Sequence, residues 1–82
     1  METVKAVRHI VDGTGVSHAE VSRRMSRGIK FVDSILTRER VPRVDTLALI
    51  AHACGWRLVL EREDGSERIE LEPKQDDKGK RQ

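Results

Sequence analysis

The chain has 82 residues with a net charge of +2, and it contains one Trp, one Phe, no Tyr and one Cys. This length supports one small domain, and the scarcity of aromatic side chains argues against binding of single-stranded nucleic acid by base stacking. One cysteine excludes an internal disulfide, no apolar run approaches the ~20 residues of a membrane span, and no signal-peptide core is evident. We therefore expect a cytoplasmic protein with no membrane association.

The charge is unevenly distributed along the chain. Residues 1–57 hold ten basic and six acidic side chains, a net charge of +4, whereas residues 58–72 hold two basic and six acidic ones, a net charge of −4. Residues 73–82 hold four basic and two acidic side chains, are all polar after Pro73, and are predicted to be disordered. The basic segment indicates either a polyanionic partner or a mixed, solvated surface.

The first two predicted helices are short and amphipathic. The first spans residues 3–12, with an apolar stripe at helical spacing that begins at Val4 and Val7. The second starts at Ser17, whose hydroxyl can accept the amide hydrogen of Glu20 while the Glu20 carboxylate reaches back to the amide of Ser17, as in a capping box. Gly28 then predicts a sharp reversal, because glycine adopts backbone angles that other residues avoid.

A third helix is predicted over residues 29–37. Val32, Ile35 and Leu36 form its core-facing side at i, i+3 and i+4. Its opposite side is small, polar or basic and comprises Lys30, Asp33, Ser34 and Thr37. Two short helices joined by a tight turn are typical of a helix-turn-helix whose second helix enters the major groove, although an ordinary packed helix pair has the same pattern.

A fourth helix is predicted over residues 43–54, after a loop in which Pro42 disfavours helical backbone at the preceding residue. Its expected apolar stripe is Val44, Leu47, Ile50, Ala51 and Cys54. Gly55 should end the helix, and Cys54 is interpreted as a small core residue.

The hydrophobic period then changes to two, which predicts a β-hairpin. Asp64-Gly65 is a favoured two-residue turn, and it pairs Leu60 with Ile69, Leu58 with Leu71, and Arg62 with Glu67. The four apolar side chains of this register share one face. Because a lone hairpin is marginally stable in water, that face must pack on the helices or on a second copy.

The order of these motifs resembles the phage-repressor family of helix-turn-helix proteins, also called Cro-like or Xre-like. The resemblance covers about residues 4–60 and rests on S-H-A-E-V at residues 17–21 and on P-R-V-D-T-L-A-L-I-A-H-A-C-G at residues 42–55. Ser26 stands where this family usually has glycine in the turn, and Arg38 where it has glycine after the recognition helix. The resemblance implies a four-helix DNA-binding domain at residues 1–55, followed by the hairpin at 56–72 and the tail at 73–82.

The resemblance also implies which residues meet double-stranded DNA. We expect base contacts from Ile29, Lys30 and Ser34. Of the apolar pair Ile29 and Phe31, one is expected to pack inward and the other to touch a thymine methyl group. The expected phosphate contacts are Ser17, His18, Arg27, Arg38, Arg40 and Arg43.

This class of protein commonly reads paired half-sites with two-fold symmetry, which favours a homodimer built through the hairpin. The expected interface residues are Trp56, Leu58, Val59, Leu60, Ile69 and Leu71. The alternative is a hairpin that only covers the core of the monomer.

We therefore expect a sequence-specific transcriptional regulator, a repressor, from a prokaryote, phage or mobile element, located on the nucleoid. Two alternatives remain open: an antitoxin that represses its own operon and binds a basic toxin through the acidic hairpin, and an interaction module that has lost DNA binding. No cofactor or metal site is expected, because His9, His18 and His52 fall on three different helices. No catalytic motif is evident, so we expect a non-enzyme.

Overall fold

Four helices followed by a β-hairpin make up the described part of the protein. A computed structural model describes residues 1–73, so the predicted tail, apart from Pro73, lies outside the described residues. The elements are α1 (Thr3–Asp12), α2 (His18–Arg24), α3 (Phe31–Arg38), α4 (Val44–Ala53), β1 (Leu58–Glu61) and β2 (Arg68–Leu71). The predicted mainly α fold is confirmed, and the first helix has the predicted bounds.

The core lies where the four helices meet, and all four contribute to it. The predicted stripes of α1 and α3 are buried throughout, and so are Val21 and Met25 of the second helix and the turn after it. The fully buried apolar side chains are Val7, Val11, Val21, Val32, Leu36 and Ile50. Each such burial stabilises the fold by about 1.5–3 kcal/mol relative to an exposed side chain, so the core fixes the position of α3 against α1 and α2.

The predicted stripe of α4 is partly wrong. Val44 is 61 % exposed, whereas Ala48 is buried at 3 % exposure and Ile50 and Ala51 are buried as expected. Leu47 and Cys54 are half-buried and pack against the core. Since α4 is apolar at seven of its ten positions, periodicity does not select its inner face, and the small Ala48 allows closer approach than Val44.

Three helices end on a residue with left-handed backbone, and only one of these residues is glycine. Ser26 (φ 59°), Glu39 (φ 54°) and Gly55 (φ 86°) follow α2, α3 and α4. In each case the next residue donates its amide hydrogen to the carbonyl five residues earlier, as Arg27 does to Ser22 at 3.0 Å. This is the Schellman arrangement. The reversal after α2 was predicted at Gly28 but occurs at Ser26, the position where the family resemblance has glycine.

The hairpin has the predicted register and a different turn. Leu58 pairs with Leu71 and Leu60 with Ile69, while Arg62 N donates to Glu67 O at 2.9 Å. Gly65 N donates to Arg62 O at 2.8 Å, so the loop has four residues, 63–66, rather than the predicted two. Lengthening the loop by one residue on each side leaves the pairing unchanged, which is why the register was predicted correctly.

The helix ends generate a stability prediction. A left-handed backbone conformation costs a non-glycine residue about 1–2 kcal/mol. Glycine avoids this cost but loses more chain entropy on folding, which offsets roughly 0.5–1 kcal/mol of the stability gained by the substitution. We therefore expect Ser26→Gly to raise the free energy of unfolding by about 0.5–1 kcal/mol, measured by urea denaturation.

Two neighbouring glycines serve as controls. Gly55→Ala should lower the free energy of unfolding, because its φ is +86°. Gly28→Ala should not, because Gly28 is outside the left-handed region and an added Cβ would meet no atom within 4 Å. A destabilised Ser26→Gly variant would show that the serine side chain, rather than the backbone angle, matters at this turn.

Candidate nucleic-acid interface

The start of α2 is capped by Ser17, as predicted. Ser17 Oγ accepts the amide hydrogen of Glu20 at 3.0 Å. The reciprocal half of the capping box was predicted wrongly, because the Glu20 carboxylate pairs instead with Arg23 at 3.2 Å and with Arg24 at 3.5 Å. Both arginines lie one turn further along the exposed side of the helix, where i,i+3 and i,i+4 pairs form.

A buried serine hydroxyl joins α2 to α3. Ser22 is fully buried, its Oγ donates to the carbonyl of His18 at 2.9 Å, and it accepts the amide hydrogen of Val32 at 3.0 Å. That amide belongs to the first turn of α3, where helix geometry provides no carbonyl partner. Lys30, the N-cap residue of α3, forms no capping hydrogen bond with its side chain. Ser22 of the neighbouring helix α2 supplies a hydrogen bond to the first turn of α3 instead.

Of the three predicted base-contacting residues, only Ser34 lies on α3 itself. The helix begins at Phe31 rather than at residue 29, so Ile29 and Lys30 lie in the preceding turn. Ile29 is 54 % exposed, and Phe31 is half-buried against the core. Lys30, Asp33 and Thr37 are exposed, whereas Ser34 is half-buried.

His18 connects three helices at one end of this surface. Its Nδ1 lies 3.1 Å from Asp33 Oδ1 on α3, and its Nε2 lies 3.5 Å from Asp12 Oδ1 on α1. Both ring nitrogens therefore face carboxylates, which leaves the predicted phosphate contact of His18 without a free ring donor in this arrangement. The same contacts hold Asp33 in a fixed direction on the exposed side of α3, a role that sequence reasoning missed.

Three of the predicted phosphate contacts, Arg27, Arg40 and Arg43, lie near Phe31. The Arg27 guanidinium lies 5.5 Å from the centre of the Phe31 ring, a cation–π arrangement. Phe31 also lines an open groove with Val41, Pro42, Arg40 and Arg43. Sequence alone did not predict that the turn before α3 and the loop after it share one aromatic side chain.

The charges of this surface are largely uncompensated. Within residues 1–73, Arg27, Lys30, Arg38 and Arg40 form no ion pair, and Arg43 pairs only with Asp45 at 3.5 Å while its side chain stays 85 % exposed. Other arginines of the basic segment have structural roles instead. Arg8 Nη2 donates to Leu36 O, and Arg24 Nη1 donates to Ala53 O, both at 3.3 Å, near the ends of α3 and α4.

Within residues 1–73, no group of His, Cys, Asp and Glu side chains is arranged to hold a metal ion, and no helix has both the length and the apolarity of a membrane span. Burial raises the pKa of the Cys54 thiol, although the nearby Arg24 opposes this shift. A higher pKa leaves less reactive thiolate at neutral pH.

Comparisons with protein-family models, with curated proteins and with solved structures return no match for this chain. Its function is therefore inferred from the chemistry of its own residues.

The Ser22 hydroxyl generates the second prediction. Ser22→Ala should lower the free energy of unfolding by about 1–3 kcal/mol, because it leaves the buried amide of Val32 without an acceptor. Urea denaturation measures the loss. Ser34→Ala on the exposed side of α3 is the matched control and should change stability by less than about 0.5 kcal/mol. Equal stabilities for the two variants would contradict a structural role for the hydroxyl.

Proposed function

We propose that this protein is a sequence-specific regulator of transcription that binds double-stranded DNA with α3 in the major groove and represses by occupying its site. One observation carries the proposal: α2 and α3 are fixed to each other by Ser22 and His18, and they present an exposed polar helix face between cations that form no ion pair within residues 1–73. A helix and flanking cations of this kind match the width and charge of a major groove. This function places the protein in the cytoplasm, on the nucleoid.

Base contacts come from the start of α3. Lys30 can donate to the O6 and N7 acceptors of guanine, and the exposed Ile29 side chain can contact a thymine methyl group. Ser34 is half-buried and small, so it permits close approach of the helix to the base edges. Asp33 joins this set, since a carboxylate held by His18 can accept a hydrogen bond from the amino group of cytosine.

Phosphate contacts come from both ends of α3. Arg27, Arg38 and Arg40 are free of ion pairs within residues 1–73, and Arg43 is held only by an exposed pair. Exposed pairs contribute little, so a phosphate can compete for Arg43. Ser17 caps the start of α2, and its hydroxyl group can also donate a hydrogen bond to a phosphate oxygen.

The proposal is tested by titrating the full chain with DNA from upstream of its own coding sequence, at two salt concentrations, beside a scrambled duplex of equal length. We expect tighter binding to the upstream DNA, with a preference that persists at the higher salt, because salt weakens chiefly the sequence-independent attraction to phosphates. Equal affinity for both duplexes at both salt concentrations would contradict sequence-specific binding to this DNA, and absence of binding would contradict the function itself.

Lys30 separates base reading from phosphate attraction. Lys30→Ala should weaken binding to the preferred duplex by about 1–3 kcal/mol and reduce the preference over the scrambled one. Arg40→Ala is the matched control, because it removes one exposed cation from the same surface. That variant should weaken binding to both duplexes alike. It should also reduce the slope of log affinity against log salt concentration by the amount expected for about one phosphate contact. Indistinguishable profiles for the two variants would remove Lys30 from the base-reading set.

A second candidate function is an antitoxin that binds a toxin protein while repressing its own operon. The hairpin favours it, since residues 58–72 carry a net charge of −4 and Leu60 and Ile69 are exposed at 58 % and 52 %. A small basic protein that copurifies with this chain would support it. If the chain is instead an interaction module without DNA binding, the protein partner should still copurify with it and neither duplex should bind.

A further inference from the structure

We propose that the open groove beside Phe31 binds an acidic segment of a second protein, and that one apolar side chain of this partner enters the groove. We call this surface the Phe31 groove, and it is lined by residues of α3, of the loop that follows and of the start of α4. The binding itself goes beyond the proposed function, and only the competition between this partner and DNA rests on that function.

DNA accounts for the cations of the Phe31 groove but not for its apolar side chains. Contacts to phosphates need cations, amides or hydroxyl groups, whereas Val41 is apolar and 70 % exposed. A single exposed valine needs no explanation. Here, however, Val41 shares a concave surface with the half-buried Phe31 and Pro42. A concave apolar surface of this kind is suited to an apolar side chain of a partner.

The rim of the groove selects the charge of that partner. Arg40 forms no ion pair within residues 1–73, and Arg43 is held only by its exposed pair with Asp45. Arg27 adds a third guanidinium against the Phe31 ring. No acidic side chain of the described residues lines the groove. An acidic segment therefore gains charge-assisted hydrogen bonds at the rim, and a basic segment would be repelled.

The shape of the groove favours a protein segment over a small molecule. Sites for small ligands enclose most of the ligand surface, whereas the Phe31 groove is open to solvent. An open groove can still bind a chain segment, because one inserted side chain anchors the segment and its flanking residues contact the rim. The hairpin has the opposite charge, −4 over residues 58–72, so a basic toxin and this acidic partner would occupy different surfaces.

The arginines of the groove bring the partner into competition with DNA. Arg27, Arg40 and Arg43 are the proposed phosphate contacts beside α3, and a guanidinium binds a carboxylate in the same bidentate way as a phosphate. A bound acidic segment therefore removes these cations from DNA and places negative charge where phosphates would lie. We expect such a partner to release the protein from its site and so to relieve repression.

The binding is tested on the full chain without DNA, by NMR titration of the ¹⁵N-labelled protein with a synthetic peptide. The probe peptide has one leucine flanked on each side by three glutamates, and the control peptide has serine in place of the leucine. We expect the largest changes in the amide signals of Phe31, Val41 and their neighbours. The leucine peptide should bind about tenfold more tightly or better, because burial of a leucine side chain contributes at least that much to affinity.

Val41 separates the groove from DNA binding. Val41→Ser should weaken binding of the leucine peptide roughly fivefold, because it removes apolar surface from the groove. It should leave the affinity for the upstream duplex unchanged, since none of the proposed DNA contacts involves Val41. Val44→Ser is the matched control: Val44 is 61 % exposed and lies outside the groove, so its variant should bind peptide and duplex like the wild type. Arg40→Ala should weaken both interactions.

A competition experiment links the groove to regulation. The leucine peptide should displace the labelled upstream duplex from the wild type at a lower concentration than the serine peptide does. The two peptides carry the same charge, so their effects on ionic strength are equal and the difference reports the groove. This difference should vanish in Val41→Ser and persist in Val44→Ser.

Several outcomes overturn the proposal. Absence of binding by the leucine peptide, or equal affinity for the serine peptide, would show that the groove takes up no apolar side chain. Signal changes centred away from Phe31 and Val41 would place the site elsewhere. Binding of hexanoate as tightly as the leucine peptide would assign the groove to a small carboxylate instead of a protein.

These failures differ from failure of the proposed function. A chain that prefers its own duplex and ignores the leucine peptide keeps the function and overturns the groove. A chain that binds the leucine peptide at Phe31 and neither duplex keeps the groove and overturns both the function and the competition with DNA.

Discussion

The Ser22 hydroxyl is the contact on which the orientation of α3 depends. It satisfies the first-turn amide of α3 from within α2, so the direction of the second helix is set by the first rather than by a cap of its own. A hydrogen bond buried in an apolar core is costly to leave unmade. The relative orientation of the two helices is therefore fixed before any ligand binds, which suits the DNA-reading surface of the proposed function.

The apolar core and the His18 contacts extend this constraint in different ways. Val32 and Leu36 hold α3 from beneath, whereas His18 holds Asp33 from one side. The core contributes most of the stability, because burial of large side chains outweighs partly exposed polar contacts. The polar contacts add direction, because His18 orients the Asp33 carboxylate on the exposed side of α3. Under the proposed function, a fixed orientation of this kind is what discrimination between bases requires.

Sequence predicted the features that depend on local spacing. The stripe of α1, the Ser17 cap and the pairing of Leu60 with Ile69 follow from periodicities of 3.6 and 2 and from symmetry about a turn. The sequence did not predict which residues face the core where most positions of a helix are apolar. The almost wholly apolar α4 has no distinct inner face in its pattern, so the exposure of Val44 could not be predicted.

The residues of the candidate site could be predicted from the sequence, but the contacts between them could not. Lys30 and Arg40 were identifiable as exposed cations, but contacts across the chain, such as His18 with Asp12 and Asp33, require the packing of three helices. The hairpin illustrates the same limit. Its register is visible in the sequence, yet only the hydrogen bonds of Arg62 with Glu67 and with Gly65 show that its loop has four residues.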